Sequence, residues 1–319
     1  MENSNLTRCP YTLKPLAQLA ETNREHIILD SIGGPDGYSI FADKATNSAL
    51  GATTDAAFQQ NPIVAAICSR LGVKTRSGIA EWNLKGKTVE GQRPVEVTIP
   101  HKGPVEVYHV KPVMLDDQGK PSQIVAPAKQ AEKLLAEMTK NYAKKGLTLS
   151  KGQIEIPASQ GLHVPISINL TGVKAGLMKI AYLSSCAYIG DSFLDDPLNP
   201  EWQKAIRAQT PEEAERIKLH GSCNVEAIQL TKVVLPELKE HEHCIAIINV
   251  NQQRPVAVVR LFNSDLLTAI VQISDTQDFA LESPGGIINI CDALTHEIRR
   301  EPWTNHLLRM SGLPPEAPS

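Results

Sequence analysis

The segment Val173 to Ile189, VKAGLMKIAYLSSCAYI, reads as a helix that is apolar on nearly every side. At 3.6 residues per turn such a pattern leaves no polar stripe for water, so the helix belongs in the middle of a domain, enclosed by other elements. No run in the chain approaches the ~18 apolar residues of a membrane span, so no membrane partner is expected. Enclosing the helix takes a large core, and a chain of 319 residues exceeds the roughly 100–200 residues of one domain. Two domains, or one domain with a small appended module, are expected.

Around that helix the pattern changes twice. Residues 1–60 are rich in turn signals, among them Cys9-Pro10 and Gly33-Gly34-Pro35-Asp36-Gly37. Residues 44–59 present a helix with Leu50, Ala57 and Phe58 as apolar contacts, and a second runs from Ile63 to Leu71 before a Gly72 stop. From Lys74 the pattern turns to β. Val95-Val97-Ile99 and Val105-Val107-His109 alternate with Glu96, Thr98, Glu106 and Tyr108, as in a meander. Ala131, Leu134, Leu135, Met138 and Tyr142 then form one face of a helix over 127–145. Strands are expected at Ile154-Ile156 and Val164-Ile166-Ile168, and two short polar helices over 198–220. Cys244–Val250, Val256–Phe262 and Leu267–Ile273 read as adjacent strands, with Asn251 to Arg254 as a hairpin connection. The expected class is α+β: a small N-terminal module over 1–72 joined to a larger mixed α/β domain over 73–319.

A net charge of −3 and a pI near 6.3 argue against wholesale electrostatic capture of nucleic acid but leave a local basic face open. Six cysteines without repeated spacing read as reduced, mostly buried thiols of a cytoplasmic protein. The N-terminal MENSNLTRCPYTLKP lacks the apolar region of a signal peptide.

The residues that carry chemistry lie early. Arg24-Glu25-His26-Ile27 is followed by Gly33-Gly34, Asn47 and Asp55. Hydrolysing a phosphodiester needs an activated water, charge stabilisation at the phosphate and a cation near the leaving oxygen. An imidazole with an ordinary pKa of ~6.5 suits His26 to take a proton from water. Glu25 and Asn47 are hard oxygen donors of the kind Mg²⁺ accepts. Neighbours on a strand point to opposite faces, so Glu25 and His26 share a site only where the backbone turns, and Gly33-Gly34 is near enough to help.

Together these residues, with Ile28 and Leu50-Gly51, resemble the HNH endonuclease family in its EHI…GG…N…G…D branch. The resemblance spans roughly the first sixty residues. It implies a ββα-metal fold that cuts nucleic acid, DNA above all, with one Mg²⁺ or Mn²⁺, and a restriction or phage-defence setting. It implies His26 as general base, Glu25 and Asn47 as catalytic residues on the metal side, and Asp55 as a further ligand. Many members also hold a structural zinc on two CxxC pairs. Here only Cys9 remains, with Thr12, Asp43 and Thr46 at the other three positions, so no structural zinc is expected. The family's middle Asn falls near Tyr38 and is absent.

Arg24, Lys85, Lys87 and Arg93 are the candidate nucleic-acid contacts. His241-Glu242-His243-Cys244 has a metal-like look, but no further ligand pair at zinc spacing accompanies it, and it reads as a solvated entry into a strand. The competing function class is a non-catalytic nucleic-acid-binding or regulatory scaffold built on a degenerate module.

Overall fold

The computed structural model describes residues 6–76, 78–90, 92–110, 112–117, 120–126, 128–146, 161–210, 213, 221–222, 225–250, 254–274, 279 and 285–314. It is an α+β protein of two compact units, one formed by Met1–Ala80 with Ile168–Ser319 and the other by Glu81–Ser167. The chain is thus divided at other points than the expected 72/73. Among the described residues no helix is long and apolar enough to cross a membrane.

The N-terminal part of the first unit is a hairpin of β1 (Thr22–His26) and β2 (Ser39–Asp43), antiparallel, with Glu25 opposite Ile40 and His26 opposite Ser39. Gly33 in the connection has φ +86, and a Cβ there would lie 2.4 Å from the Ala293 carbonyl oxygen. Only glycine permits both the left-handed backbone and that approach. Helix α1 (Lys44–Leu50) follows directly, its N-terminus capped by the Asp43 carboxylate, which accepts from Thr46 N at 2.8 Å. A π-helical turn over Gly51–Asp55 and a further turn to Gln59 complete the segment read as one helix. Helix α2 (Pro62–Leu71) ends at Gly72 as expected.

The second unit carries β3 (Trp82–Thr88), β4 (Pro94–Ile99) and β5 (Glu106–His109) in an antiparallel meander, with Leu162–His163 added beside β3. Val95 and Val97 are buried while Glu96 between them is exposed, the alternation read in the sequence. Helix α3 (Ala128–Ala143) matches the periodicity over 127–145. Residues 164–168, expected as a strand, take no regular structure; only Leu162–His163 pairs. The strand expected at Ile154-Ile156 and most of the helical stretch after residue 210 lie outside the described residues, as do 251–253 of the hairpin connection.

The rest of the first unit begins with α4 (Leu170–Ile189), capped by Asn169, whose side chain accepts from Gly172 N at 2.9 Å. Helices α5 (Asn199–Ala205) and α6 (Val225–Val234) lead into β6 (Glu242–Val250), β7 (Arg254–Arg260), β8 (Thr268–Gln272), β9 (Gly286–Asp292), β10 (Ile298–Pro302) and α7 (Trp303–Met310). Gly221–Ser222, β8, β7, β6, β9 and β10 form, in that spatial order, a six-stranded antiparallel sheet. Successive side chains of β6 enter different cores. Ile245 and Ile247 pack with α4 and the N-terminal segment, whereas Cys244, Ala246 and Ile248 pack on the other face with Leu235, Leu238 and Trp303.

That arrangement explains why α4 is apolar all round. One side lies on the sheet, through the shared core with Val259, Ala269 and Val271. The other is covered by Ile27, Tyr38, Leu50 and Phe58 of the N-terminal segment. At Gly176 the two meet closely, since a Cβ there would sit 2.3 Å from the Phe58 ring. The first sixty residues therefore complete the core of the large unit, which is why the division falls at 80 and 168.

Candidate functional site

Side-chain alternation along β1 sorts the early residues into two sets. Residues directly opposite on paired strands share a face. Asn23 and Glu25, facing Ala42 and Ile40, form the inner set; Arg24 and His26, facing Phe41 and Ser39, form the outer one. Burial agrees: Glu25, Ile40 and Ala42 are buried, Arg24 is exposed, and Phe41 is 51% exposed. The strand runs without a bulge to His26, and Ile27 N still donates to the Tyr38 carbonyl at 3.0 Å. Glu25 and His26 therefore look in opposite directions, and the Gly33-Gly34 bend comes too late to bring them together.

Inside, Glu25 meets Lys179 from the middle of α4, Nζ to Oε1 at 2.6 Å, and accepts from the Tyr11 hydroxyl at 2.9 Å. The π-helical turn ends on Asp55 and delivers its carboxylate to the same ammonium, 2.7 Å to Oδ1 and 2.6 Å to Oδ2. Two of the residues expected to ligate metal, Glu25 and Asp55, are thus brought together, but around a lysine. The Lys179 side chain is only 3% exposed. An ammonium has three N–H donors, and Glu25 Oε1 and the two Asp55 oxygens supply three acceptors. Burial pushes the Glu25 carboxyl up from its ordinary value, while the Lys179 charge and the Tyr11 hydroxyl pull it down. The Tyr11 phenol is held well above its ordinary range by burial and by the Glu25 charge, which keeps it a donor.

Asn47 stands apart from this triad. Its amide nitrogen donates to Asn23 Oδ1 at 3.0 Å and to the Arg24 carbonyl at 3.4 Å, tying α1 back onto β1. His26, on the outer side, keeps a buried Nδ1 without a partner. Lys85 and Lys87 are exposed on β3 of the second unit, opposite Glu96 and Pro94. Arg93 of the same unit places Nη1 3.0 Å from the Met114 sulfur.

Three of the four positions that the resemblance assigns to zinc, Cys9, Asp43 and Thr46, form a hydrogen-bonded junction, while the fourth, Thr12, has a buried Oγ1 without a partner. Cys9 is fully buried, and its Sγ accepts from Tyr11 N at 3.4 Å and Asp43 N at 3.2 Å. Asp43 in turn holds Thr46 through its backbone N and through Oγ1 at 2.7 Å. The Pro10 carbonyl accepts from Tyr182 of α4 and from Gln203 Nε2 at 2.7 Å. Among the described residues no three or more His, Cys, Asp or Glu side chains gather as a metal-holding group.

His243 departs from the expected solvated strand entry. It is fully buried; Nε2 donates to the Ile32 carbonyl at 2.9 Å, and Nδ1 accepts from Phe262 N at 3.2 Å. His241 meets Asp292 at 3.3 Å. Burial lowers the His243 pKa to about 4.

Sequence reasoning missed Lys179 and Tyr11 as members of the site. A signal for Lys179 was present: a lysine inside a helix that must be enclosed on all sides needs a buried counter-charge. Comparison of the chain with protein-family models, with curated proteins and with solved structures gives no match.

Proposed function

We propose that this chain binds nucleic acid through the outer face of its N-terminal hairpin and does not cut it. One observation carries the reading, the alternation along β1. It turns Arg24 and His26 outward beside an exposed Phe41 and turns Glu25 inward onto Lys179. A cation next to an exposed aromatic ring suits a strand of nucleic acid, whose phosphates meet the charge while a base stacks on the ring. Hydrolysis needs the base histidine and the cation at the same phosphate, and β1 points the two apart. DNA is the expected ligand. A cytoplasmic setting accords with the free, buried thiols of Cys9, Cys68, Cys186, Cys244 and Cys291.

The test is fluorescence anisotropy with labelled single-stranded and duplex DNA at two salt concentrations. Wild type binds, Phe41→Ala weakens binding by roughly 5- to 150-fold for one lost stacked base, and Arg24→Ala lowers the salt dependence. Binding that ignores both substitutions would overturn the proposal.

A second reading, a metal-dependent HNH-type endonuclease of restriction or phage defence, draws support from the buried Nδ1 of His26, which has no hydrogen-bond partner. The Glu25–Asp55 pair does not fit as the Mg²⁺ or Mn²⁺ position while Lys179 holds both carboxylates. Plasmid nicking with either metal decides: cutting that His26→Ala abolishes would favour the nuclease.

A further inference from the structure

We infer that Lys179 is the resident cation of the pocket made by Glu25 and Asp55, and that it keeps divalent ions out of it. The pocket has the make-up of a cation site. Two carboxylates arrive from separate elements, a strand and a π-helical turn, and a phenol supports one of them. All three acceptor oxygens lie 2.6–2.7 Å from Nζ. The three oxygens that an entering ion would meet are thus already turned onto a resident positive charge.

The lysine also has nowhere to withdraw. Met178, Ile180, Ala181 and Leu183 around it on α4 are buried, and Lys179 itself is 2% exposed. An entering Mg²⁺ would lie beside the ammonium and be repelled by it. Polar side chains of α4 reach into the N-terminal segment: Lys179 to Glu25 and Asp55, Tyr182 to Pro10, and Ser184 to the Tyr38 hydroxyl at 3.2 Å. The ammonium thus joins the Tyr182 and Ser184 contacts in tying the central helix to the N-terminal segment, and it does structurally what a bound metal would do. This inference stands apart from whether the chain cuts nucleic acid, because metal is measured directly.

The test is Mn²⁺ binding to the full chain, followed by loss of the free-ion electron paramagnetic resonance signal. Wild type is expected to show no saturable uptake that Glu25→Gln removes. Lys179→Ala, which vacates the cation position, is expected to gain a stoichiometric Mn²⁺ site together with a metal-dependent rise in melting temperature, both lost in Lys179→Ala/Asp55→Asn. Wild-type uptake abolished by Glu25→Gln would overturn the inference, as would a folded Lys179→Ala that takes up no metal. Should Lys179→Ala fail to fold, the ¹⁵N resonance of the wild-type Lys179 ammonium serves instead: it stays unchanged under Mg²⁺ titration if the inference holds, and shifts or vanishes if Mg²⁺ displaces it.

Discussion

Acid should loosen the hairpin connection from the large sheet at one residue, His243. Its imidazole is buried at the start of β6, its Nε2–H donates to Ile32 in the hairpin connection, and its Nδ1 takes the Phe262 N–H. Protonating Nδ1 would set two donors against each other in a site closed to water. Burial accordingly lowers the folded pKa to about 4, against ~6.5 in an unfolded chain. The unfolded state binds the extra proton first, so this contribution is complete above pH ~6.5 and is lost as pH falls through about 4. At 1.36 kcal/mol per unit the loss is about 2 kcal/mol by pH 5 and about 3 kcal/mol by pH 4. Urea unfolding of wild type and His243→Gln over pH 7 to 4 measures it as the difference between the two curves. A wild-type curve that runs parallel to the variant, or a His243 ring resonance that titrates near pH 6.5, would refute the reasoning.

Lys179→Met should destabilise the protein at pH 7 by about 3–5 kcal/mol, because it leaves two carboxylates facing each other in a closed site. Without the ammonium, the folded Glu25 carboxyl rises further above its unfolded value, so the stability gained by protonating it is present at low pH and lost as pH rises. The deficit against wild type should therefore shrink on acidification, which chemical denaturation at pH 7 and pH 5 checks. Gly176→Ala places a methyl carbon 2.3 Å from Phe58, and overpacking of that kind costs about 1–3 kcal/mol. A thermal melt unchanged by it would mean that α4 and the N-terminal segment are not pressed together as described.

Elements whose side chains repeat with one period were legible in the sequence. Helix α4, strands β4 and β5 of the meander, the helix through 44–59 and strands β6 to β8 fall where their apolar residues recur. Strand β9 did not show itself because both its faces are buried; Ile287, Ile288 and Ile290 give a run without alternation. Strand β10 is an edge strand whose Arg299, Arg300 and Glu301 carry none of the apolar signal and suit an unpaired edge. The early cluster was legible as chemistry but not as geometry. Its carboxylates pointed to a cation, and the cation proved to come from a helix more than a hundred residues downstream, a distance no local pattern spans. The direction of His26 was settled by strand alternation, a rule the sequence already supplied; what it withheld was that β1 continues straight through Glu25 without a bulge.

The most direct measurement is an anomalous-difference map at the manganese edge from crystals of the full chain grown with Mn²⁺. No manganese peak is expected between Glu25 and Asp55, with the Lys179 ammonium in contact with both carboxylates. A strong peak on that pair, with the lysine swung away, would contradict it.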